Sequence, residues 1–392
     1  MNIIFIADSA TMLLELDRLL KKNVNIIWIV FHESLYKELL TYGVERNRVI
    51  FFDLRFPFIS KPLFLKRILN KIFHYLFKES SLDYYIQSLI NRLNKEYKPK
   101  FYLTDTSKLL SKIDTKSPKA TILHSVTYKN FYLNSSNLNY DILFLPGNYH
   151  KNRIKEYYSK ICFKKQQLQV VGNLKLSPFV DNRKLDNKSK REILENYGLN
   201  PNWPLVLYAP TYDAFKGQNF FPEEFGGQYE KLNEYAEFLE KNKLNIIIKF
   251  HHYMACNFES KEIKGIIKRK NARLFKTKKN YDTIDGDSLL MASDIVVGDT
   301  SGILTTAIYL DKKIIFLEPD KFFNWSSADI EKHLRPGYVC NTFDDLLNAT
   351  SYYMKKDEFI EKRNTFSDNV FFNKEVNSYP LLKNLIIENL QK

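Results

Sequence analysis

A strand, a polar turn, a helix and a second strand follow one another between Leu290 and Asp320. Ile295–Val297 and Ile314–Leu317 are fully apolar runs, and the segment between them is rich in small and apolar residues. Two strands of this kind, joined through a helix, belong in a parallel sheet that is covered by helices on both faces. This stretch therefore predicts an α/β fold.

The turn after the first of these strands carries polar groups that suit an anion. It consists of Gly298, Asp299, Thr300, Ser301 and Gly302. Ligands of open parallel sheets bind at the carboxyl ends of the strands, and free N–H groups at a helix start can hold phosphate oxygens. Thr300 and Ser301 add hydroxyl donors, and Gly302 removes side-chain bulk. The alternative is an ordinary helix N-cap formed by Asp299, Thr300 or Ser301.

The same alternation of apolar runs and helical patterns extends along the chain. In the first half we predict strands at Ile3–Ile6, Ile26–Phe31, Val49–Phe52, Phe101–Thr104, Ala120–His124 and Ile142–Leu145, and helices at Leu13–Lys22 and Leu82–Glu96. In the second half we predict further strands at Leu205–Ala209, Asn245–Phe250 and Arg273–Phe275, and helices at Gln228–Lys241, Glu259–Lys268, Ser288–Ser293 and Tyr379–Lys392. This rhythm predicts two doubly wound, Rossmann-type sheets.

The chain of 392 residues is too long for one ordinary core and suits two domains. The polar stretch Asp181–Lys190 is predicted to link them. We therefore expect one α/β domain at residues 1–180, a second at 181–375 and a terminal helix at 376–392, with the two domains facing each other across a cleft.

The charge favours anionic partners. Lys and Arg number 59 against 45 Asp and Glu, which gives a net charge of +14 and favours nucleotides, phosphorylated polymers, nucleic acid or an anionic membrane face. Cys162, Cys256 and Cys340 form no disulfide framework or zinc spacing, which indicates a reducing compartment. The N-terminus lacks the pattern of a signal peptide, so we expect a cytoplasmic protein.

Residues 55–78 mix aromatic and basic side chains. At helical spacing one face carries Leu65, Ile68, Leu69, Ile72 and Leu76, and the opposite face carries Lys66, Arg67, Lys71 and Lys78. This pattern is typical of a helix in the interface of an anionic membrane. The alternative is a helix packed on its own sheet with solvated lysines.

Other polar residues follow predicted strands. Thr211 ends the first strand of the second domain, and His251 follows the next strand. His124 ends a strand of the first domain, and an imidazole suits removal of a proton from a hydroxyl near neutral pH; the alternative is a capping or buried histidine. Arg335 could neutralise a phosphate. Asp287 fits either a metal site with Asp285 or a helix N-cap.

Taken in order, these motifs resemble the CDP-glycerol glycerophosphotransferase family. They are Val171-Gly172-Asn173-x-Lys175, Leu207-Tyr208-Ala209-Pro210-Thr211, Ile248-Lys249-x-His251, Ser293-Asp294-x4-Asp299-Thr300-Ser301 and Arg335-Pro336-Gly337. Members build teichoic-acid-like polymers and capsule polyol phosphates on a GT-B fold. The resemblance implies an acceptor-side N-terminal domain and a C-terminal domain that binds the nucleotide donor.

The resemblance also implies roles for individual residues. His124 matches the histidine thought to act as general base, and His251 the histidine thought to assist at the donor phosphates. The donor diphosphate is expected at Asp299, Thr300, Ser301 and Gly302, with Thr211 and Arg335 also contacting the donor. No cofactor and no metal are expected. His124 is followed by Ser125 where the family has glycine, and His251 by His252 where it has proline.

The sequence thus predicts a transferase that moves a polyol phosphate from a CDP-linked donor to a hydroxyl of a lipid-linked or polymeric cell-surface glycan. It is expected in the cytoplasm, peripheral to the inner face of the cell membrane. The alternative enzyme is a GT-B glycosyltransferase that uses a nucleotide-sugar in capsule or lipopolysaccharide synthesis. A nucleic-acid-binding or scaffold protein is disfavoured because the basic residues are dispersed and form no RNA-binding signature, so no nucleic-acid partner is expected.

Overall fold

A computed structural model describes residues 1–7, 11–52, 81–105, 110–123, 130–181, 185–210, 228–250, 261–275, 286–299, 302–317, 335–372 and 375–391. The chain forms two compact units, each built on one parallel sheet. The first unit comprises Met1–His124, Phe131–Ser177 and Val376–Lys392, and the second comprises Ser125–Asn130 and Pro178–Glu375.

The first unit contains a seven-stranded sheet in the described part of the chain, in the order β3-β2-β1-β4-β5-β6-β7. Its strands are β1 (Asn2–Ala7), β2 (Asn25–Val30), β3 (Val49–Phe51), β4 (Phe101–Thr104), β5 (Lys119–Ile122), β6 (Ile142–Leu145) and β7 (Leu168–Val170). Its helices are α1 (Thr11–Leu20), α2 (Glu33–Thr41), α3 (Ser81–Tyr97), α4 (Asn148–Tyr157) and the last helix, α12 (Ser378–Gln391). All neighbouring strands pair in parallel.

Both faces of the first sheet are buried, which explains its nearly continuous apolar strands. Ile3 and Phe5 point into one core cluster, and Ile4 and Ile6 point into another on the opposite face, as the two-residue period of a strand requires. The first cluster also receives the apolar side of α12, so the terminal helix is part of the first unit. The residues of α12 in this core are Tyr379, Leu382, Ile386 and Leu390.

The second unit contains a six-stranded parallel sheet in the order β10-β9-β8-β11-β12-β13. Its strands are β8 (Leu205–Tyr208), β9 (Asn245–Ile248), β10 (Ala272–Leu274), β11 (Ile295–Gly298), β12 (Lys313–Leu317) and β13 (Tyr338–Cys340). Its helices are α5 (Asn187–Asn196), α6 (Gln228–Lys241), α7 (Lys261–Ile266), α8 (Gly286–Ala292), α9 (Gly302–Tyr309), α10 (Phe343–Lys355) and α11 (Ile360–Val370). Both sheets reverse their winding direction at one point, between β1 and β4 and between β8 and β11, which is the doubly wound arrangement.

The structure differs from the sequence predictions in some elements. The predicted linker Asp181–Lys190 contains the start of α5, because the Asp186 carboxylate accepts a hydrogen bond of 2.8 Å from the Ser189 N–H and caps the helix. Helix α8 begins at Gly286, so Asp287 lies in its first turn and is not its N-cap. None of the described helices has the length and apolar character needed to cross a membrane, and residues 55–78 lie outside the described part.

A buried arginine fixes the far end of α9. The Arg363 side chain is 1% exposed; its Nε donates to the Asp311 carboxylate at 2.7 Å, and its two terminal nitrogens donate to Asp357 at 3.0 and 2.6 Å. Asp311 adopts a positive φ of 54° just after α9. Because a bidentate guanidinium–carboxylate pair is strong and directional, this cluster ties α9 to α11 and to the loop before it.

A buried histidine gives the first unit a specific sensitivity to acid. His150 in α4 is 1% exposed and lies edge-on to the rings of Tyr132 and Tyr149, with centroid distances of 5.0 and 5.4 Å. Its Nδ1 has no hydrogen-bond partner in the structure. Burial lowers the pKa of His150 to about 3, so this imidazole is neutral in the folded protein at pH values where an unfolded chain binds a proton.

We therefore expect the free energy of unfolding to be insensitive to this group above pH 6.5. It should fall by about 1.4 kcal/mol per pH unit as the pH drops from 6.5 toward 3, because only the unfolded state then protonates. In His150→Phe this part of the acid dependence should disappear, as measured by urea unfolding between pH 7 and pH 4. His32→Phe, at an exposed histidine, is the control; an unchanged slope in His150→Phe would contradict the assignment.

Candidate functional site

Three of the motifs found in the sequence meet at one edge of the second sheet. Strand β8 pairs with β9 on one side and with β11 on the other. Since all three are parallel, their carboxyl ends lie side by side, and they lead into Ala209-Pro210, Lys249-Phe250 and Asp299 respectively. The winding of this sheet reverses between β8 and β11, and this reversal is the place where α/β folds bind ligands.

The two central strands approach closely at this edge. The Ala209 N–H donates to the Val297 carbonyl at 2.8 Å. A Cβ atom added to Gly298 would lie 2.9 Å from the Ala209 carbonyl oxygen and 3.3 Å from Cδ2 of Leu304. Gly298 is therefore required for β8, β11 and α9 to pack together.

Helix α9 starts at the surface and runs into the core. Gly302 is exposed, and apart from its chain neighbours no atom of the described residues lies within 4 Å of the position that a Cβ would take. Leu304, Ala307 and Ile308, further along the helix, are each at most 1% exposed. The first residue of α9 therefore lies at the surface, and the positive end of a helix dipole favours an anion at such a helix start.

Asp299 lies between this helix start and the end of β8. Its side chain is half-buried. Tyr208, the last residue of β8, is fully buried, and both that burial and the negative charge of Asp299 raise the pKa of the Tyr208 phenol well above its ordinary value. Because Asp299 directly follows β11, it lies at the edge of the sheet where the winding reverses.

Lys249 brings a cation to the same edge. Its Nζ lies 5.7 Å from the centre of the Phe275 ring, and its Cε lies 3.3 Å from the Cβ position of Gly286 at the start of α8. Burial lowers the pKa of Lys249, and the Asp287 carboxylate opposes this effect. Sequence reasoning gave a role to His251 and none to Lys249, because the burial of this lysine depends on residues from two other elements.

Arg335 and Gly337 precede β13. The Arg335 side chain is 1% exposed, and its guanidinium lies 5.4 Å from the centre of the Phe316 ring; Phe316 is paired with Gly298. A Cβ atom on Gly337 would lie 2.2 Å from the Ile314 carbonyl oxygen. Gly337 therefore allows the chain before β13 to approach the backbone of β12 closely. Contact of Arg335 with a bound donor stays a prediction.

The motif residue Asp294 lies at the opposite end of β11 from Asp299. Its carboxylate accepts hydrogen bonds from the Lys190 ammonium at 2.6 and 2.7 Å and from the Leu205 N–H at 2.7 Å. This contact joins the first residue of β8 to α5. The Ser293-Asp294 part of the motif is thus structural in this chain.

Five of the predicted site residues lie outside the described part of the chain, and their roles stay predictions. These are His124, Thr211, His251, Thr300 and Ser301. Asp285 also lies outside it, so the structure does not decide the metal alternative for Asp285 and Asp287; within the described residues there is no group of three His, Cys, Asp or Glu side chains placed to hold a metal ion.

Comparison with protein families identifies the chain. The family model described as "CDP-Glycerol:Poly(glycerophosphate) glycerophosphotransferase" matches residues 111–387, more than half of the chain. The chain belongs to this family. The resemblance predicted from the sequence is confirmed, and the protein is an enzyme of the glycerophosphotransferase type. Comparison with curated protein sequences finds no match.

Solved structures share the fold. The wall teichoic acid polymerase TagF is 13% identical, with a TM-score of 0.62, and the match covers 100% of this chain and 89% of that one. A putative UDP-N-acetylglucosamine 2-epimerase from Listeria monocytogenes is 14% identical over 97% and 94% of the two chains, with a TM-score of 0.62. A glycosyltransferase from Rickettsia africae is 17% identical over 99% of each chain, with a TM-score of 0.56. The predicted GT-B-like class with two parallel sheets is confirmed.

Gly298→Ala tests the tight contact at the switch point. The added methyl group would press on the Ala209 carbonyl oxygen, and we expect a loss of about 1–3 kcal/mol in the free energy of unfolding, the usual cost of overpacking. Urea unfolding followed by circular dichroism measures it. Gly265→Ala, at an exposed helix position with no atom within 4 Å of the new Cβ, is the matched control; equal stability of the two variants would show that Gly298 is not constrained.

Proposed function

We propose that the protein transfers glycerol phosphate, or a similar polyol phosphate, from a CDP-linked donor to a hydroxyl of a growing cell-surface glycopolymer. Family membership supports the reaction type. The observation that carries the placement is the adjacency of β9, β8 and β11, which puts Lys249, Asp299 and the start of α9 at one sheet edge.

The donor diphosphate lies, in this proposal, at the open start of α9. The N–H groups of its first turn and the Lys249 ammonium supply positive potential, and Thr300 and Ser301 supply hydroxyl donors. An ionised carboxylate only accepts hydrogen bonds. Asp299 therefore does not contact the phosphates directly but accepts from donor hydroxyls or orients the two side-chain hydroxyls beside it.

The reaction forms one bond to phosphorus and breaks another. The acceptor hydroxyl oxygen attacks the phosphorus that bears the polyol, the bond from that phosphorus to the bridging oxygen breaks, and CMP leaves with that oxygen. His124 removes the proton of the attacking hydroxyl. Phosphoryl transfer depends mainly on positioning and on stabilisation of charge. In this proposal the helix start and Lys249 stabilise the charge that develops on CMP, and the family resemblance gives the same role to His251.

A solved relative supports the choice of donor. A TagF variant soaked with CDPG shares the fold, with 12% identity, a TM-score of 0.61 and coverage of 100% of this chain and 88% of that one. The net charge of +14 suits an anionic donor, an anionic acceptor and an anionic membrane surface. The cellular site in this proposal is the inner face of the cell membrane, where a lipid-linked acceptor is available.

The direct test is CMP release from CDP-glycerol, detected by mass spectrometry with a short phosphopolyol or glycan primer. We expect release that depends on the primer and falls by at least about 10²-fold in His124→Ala, because a general base contributes about 10²–10⁴-fold. His32→Ala, which removes an exposed histidine of the same unit, should retain the activity. Turnover of a nucleotide-sugar with no CMP release from CDP-glycerol would replace the proposal with the glycosyltransferase alternative.

Gly302→Ala tests whether the donor diphosphate binds at the start of α9, because this substitution should change donor affinity without lowering the stability of the fold. Beyond its chain neighbours, the new methyl group meets no atom of the described part of the chain within 4 Å. Alanine is the better helix former by up to about 1 kcal/mol, so stability should be equal or higher. If phosphate oxygens approach this backbone, the affinity for CDP-glycerol should fall about tenfold, or about 1.4 kcal/mol, in titration calorimetry. Gly265→Ala is again the control. Unchanged affinity in Gly302→Ala would move the diphosphate away from α9.

A further inference from the structure

The amino ends of the strands of the first sheet form a continuous surface. Backbone hydrogen bonds join the strand starts. The Asn25 N–H donates to the Met1 carbonyl at 2.9 Å, and the Lys100 N–H donates to the Asn2 carbonyl at 2.9 Å. The Leu143 N–H donates to the Gln167 carbonyl at 2.7 Å. Seven strands spaced by about 4.8 Å make this edge about 29 Å wide. We call the loops that enter these strands the amino-edge face: residues 21–24, 42–48, 98–100, 110–118, 134–141 and 158–167, together with Met1.

The amino-edge face is strongly basic. Its exposed acidic residues are Glu45, Asp114 and Asp141, and Asp141 already accepts a hydrogen bond of 3.0 Å from the Lys119 N–H. Its exposed basic residues are more than three times as many: Lys21, Lys22, Arg46, Lys98, Lys100, Lys112, Lys116, Lys160, Lys164 and Lys165. None of Lys160, Lys164 and Lys165 forms an ion pair within the described part of the chain.

Large apolar side chains project from the same face. Tyr157, the last residue of α4, borders this face and is 62% exposed, and Ile161, next to Lys160 in the loop between α4 and β7, is 41% exposed. Tyr42 and Met1 are 45% and 60% exposed. The turn is held rigidly, because the Tyr158 hydroxyl donates to the Leu133 carbonyl at 2.5 Å.

We propose that the amino-edge face docks the protein on an anionic lipid bilayer. The lysines contact headgroup phosphates, and Tyr157 and Ile161 enter the boundary between headgroups and acyl chains, where tyrosine is favoured. The exposed apolar side chains favour a lipid bilayer over a soluble polyanion, because they would stay in water beside a hydrated polyanion and be buried only in a bilayer. This inference goes beyond the proposed function: it names a docking surface formed by described residues of the first unit, none of which belongs to residues 55–78 or to the proposed donor site.

The experiment is co-sedimentation of the full chain with vesicles of phosphatidylcholine, with and without phosphatidylglycerol. One variant carries Lys160→Gln, Lys164→Gln and Lys165→Gln, and a second carries Tyr157→Ser and Ile161→Ser. The matched control carries Lys243→Gln, Lys264→Gln and Lys268→Gln, three exposed lysines of the second unit. Circular dichroism confirms that each variant is folded.

We expect binding that needs phosphatidylglycerol and weakens with added salt. The lysine variant should bind about fivefold more weakly for each charge removed, the Tyr157/Ile161 variant should also bind more weakly, and the control should match wild type. Wild-type affinity of both variants for the vesicles would overturn the proposal. It would also be overturned if the variants lost affinity for a soluble polyphosphate and kept their affinity for the vesicles. CMP release from a soluble primer should persist in both variants, so a failure of docking is distinguishable from a failure of the proposed reaction.

Discussion

The pairing of β8 with β11 is the interaction on which the second unit depends. Its carbonyl and amide groups meet at a point where a single methyl group on Gly298 has no room. Helix α9 packs against the same contact, so the position of its open first turn follows from the sheet. The Arg363 cluster holds the other end of that helix. The helix at the proposed diphosphate site is thus fixed by backbone packing at one end and by a buried guanidinium at the other.

Charged groups in this unit fall into two kinds. Arg363 and Asp294 are satisfied by partners and fix elements to one another. Lys249, by contrast, is partly withdrawn from water at the sheet edge, and burial lowers its pKa. A cation placed in such surroundings interacts more strongly with an arriving phosphate than a solvated one does.

Much of the fold followed from the sequence, because parallel sheets require strands that are apolar on both faces. The order of the motifs also predicted their meeting, since strands of one parallel sheet end at one edge. Other features depend on contacts between distant residues. The sequence around Gly337 does not reveal that this glycine lies against the Ile314 carbonyl. The sequence of the helix at 376–392 likewise does not reveal that its core partners lie near the N-terminus. The burial of Lys249 likewise needs Gly286 and Phe275 in place.

Strand β11 carries a structural carboxylate at one end and a carboxylate of the proposed donor site at the other. Asp294 and Asp299 are five positions apart, roughly 17 Å along an extended chain. The strand therefore sets the distance between the Asp294 contact with Lys190 and Leu205 and the place where the donor is expected. Chimeras that exchange segments with relatives should therefore exchange β11 together with both of its aspartates. A junction inside the strand would join the Asp294 end of one enzyme to the Asp299 end of another.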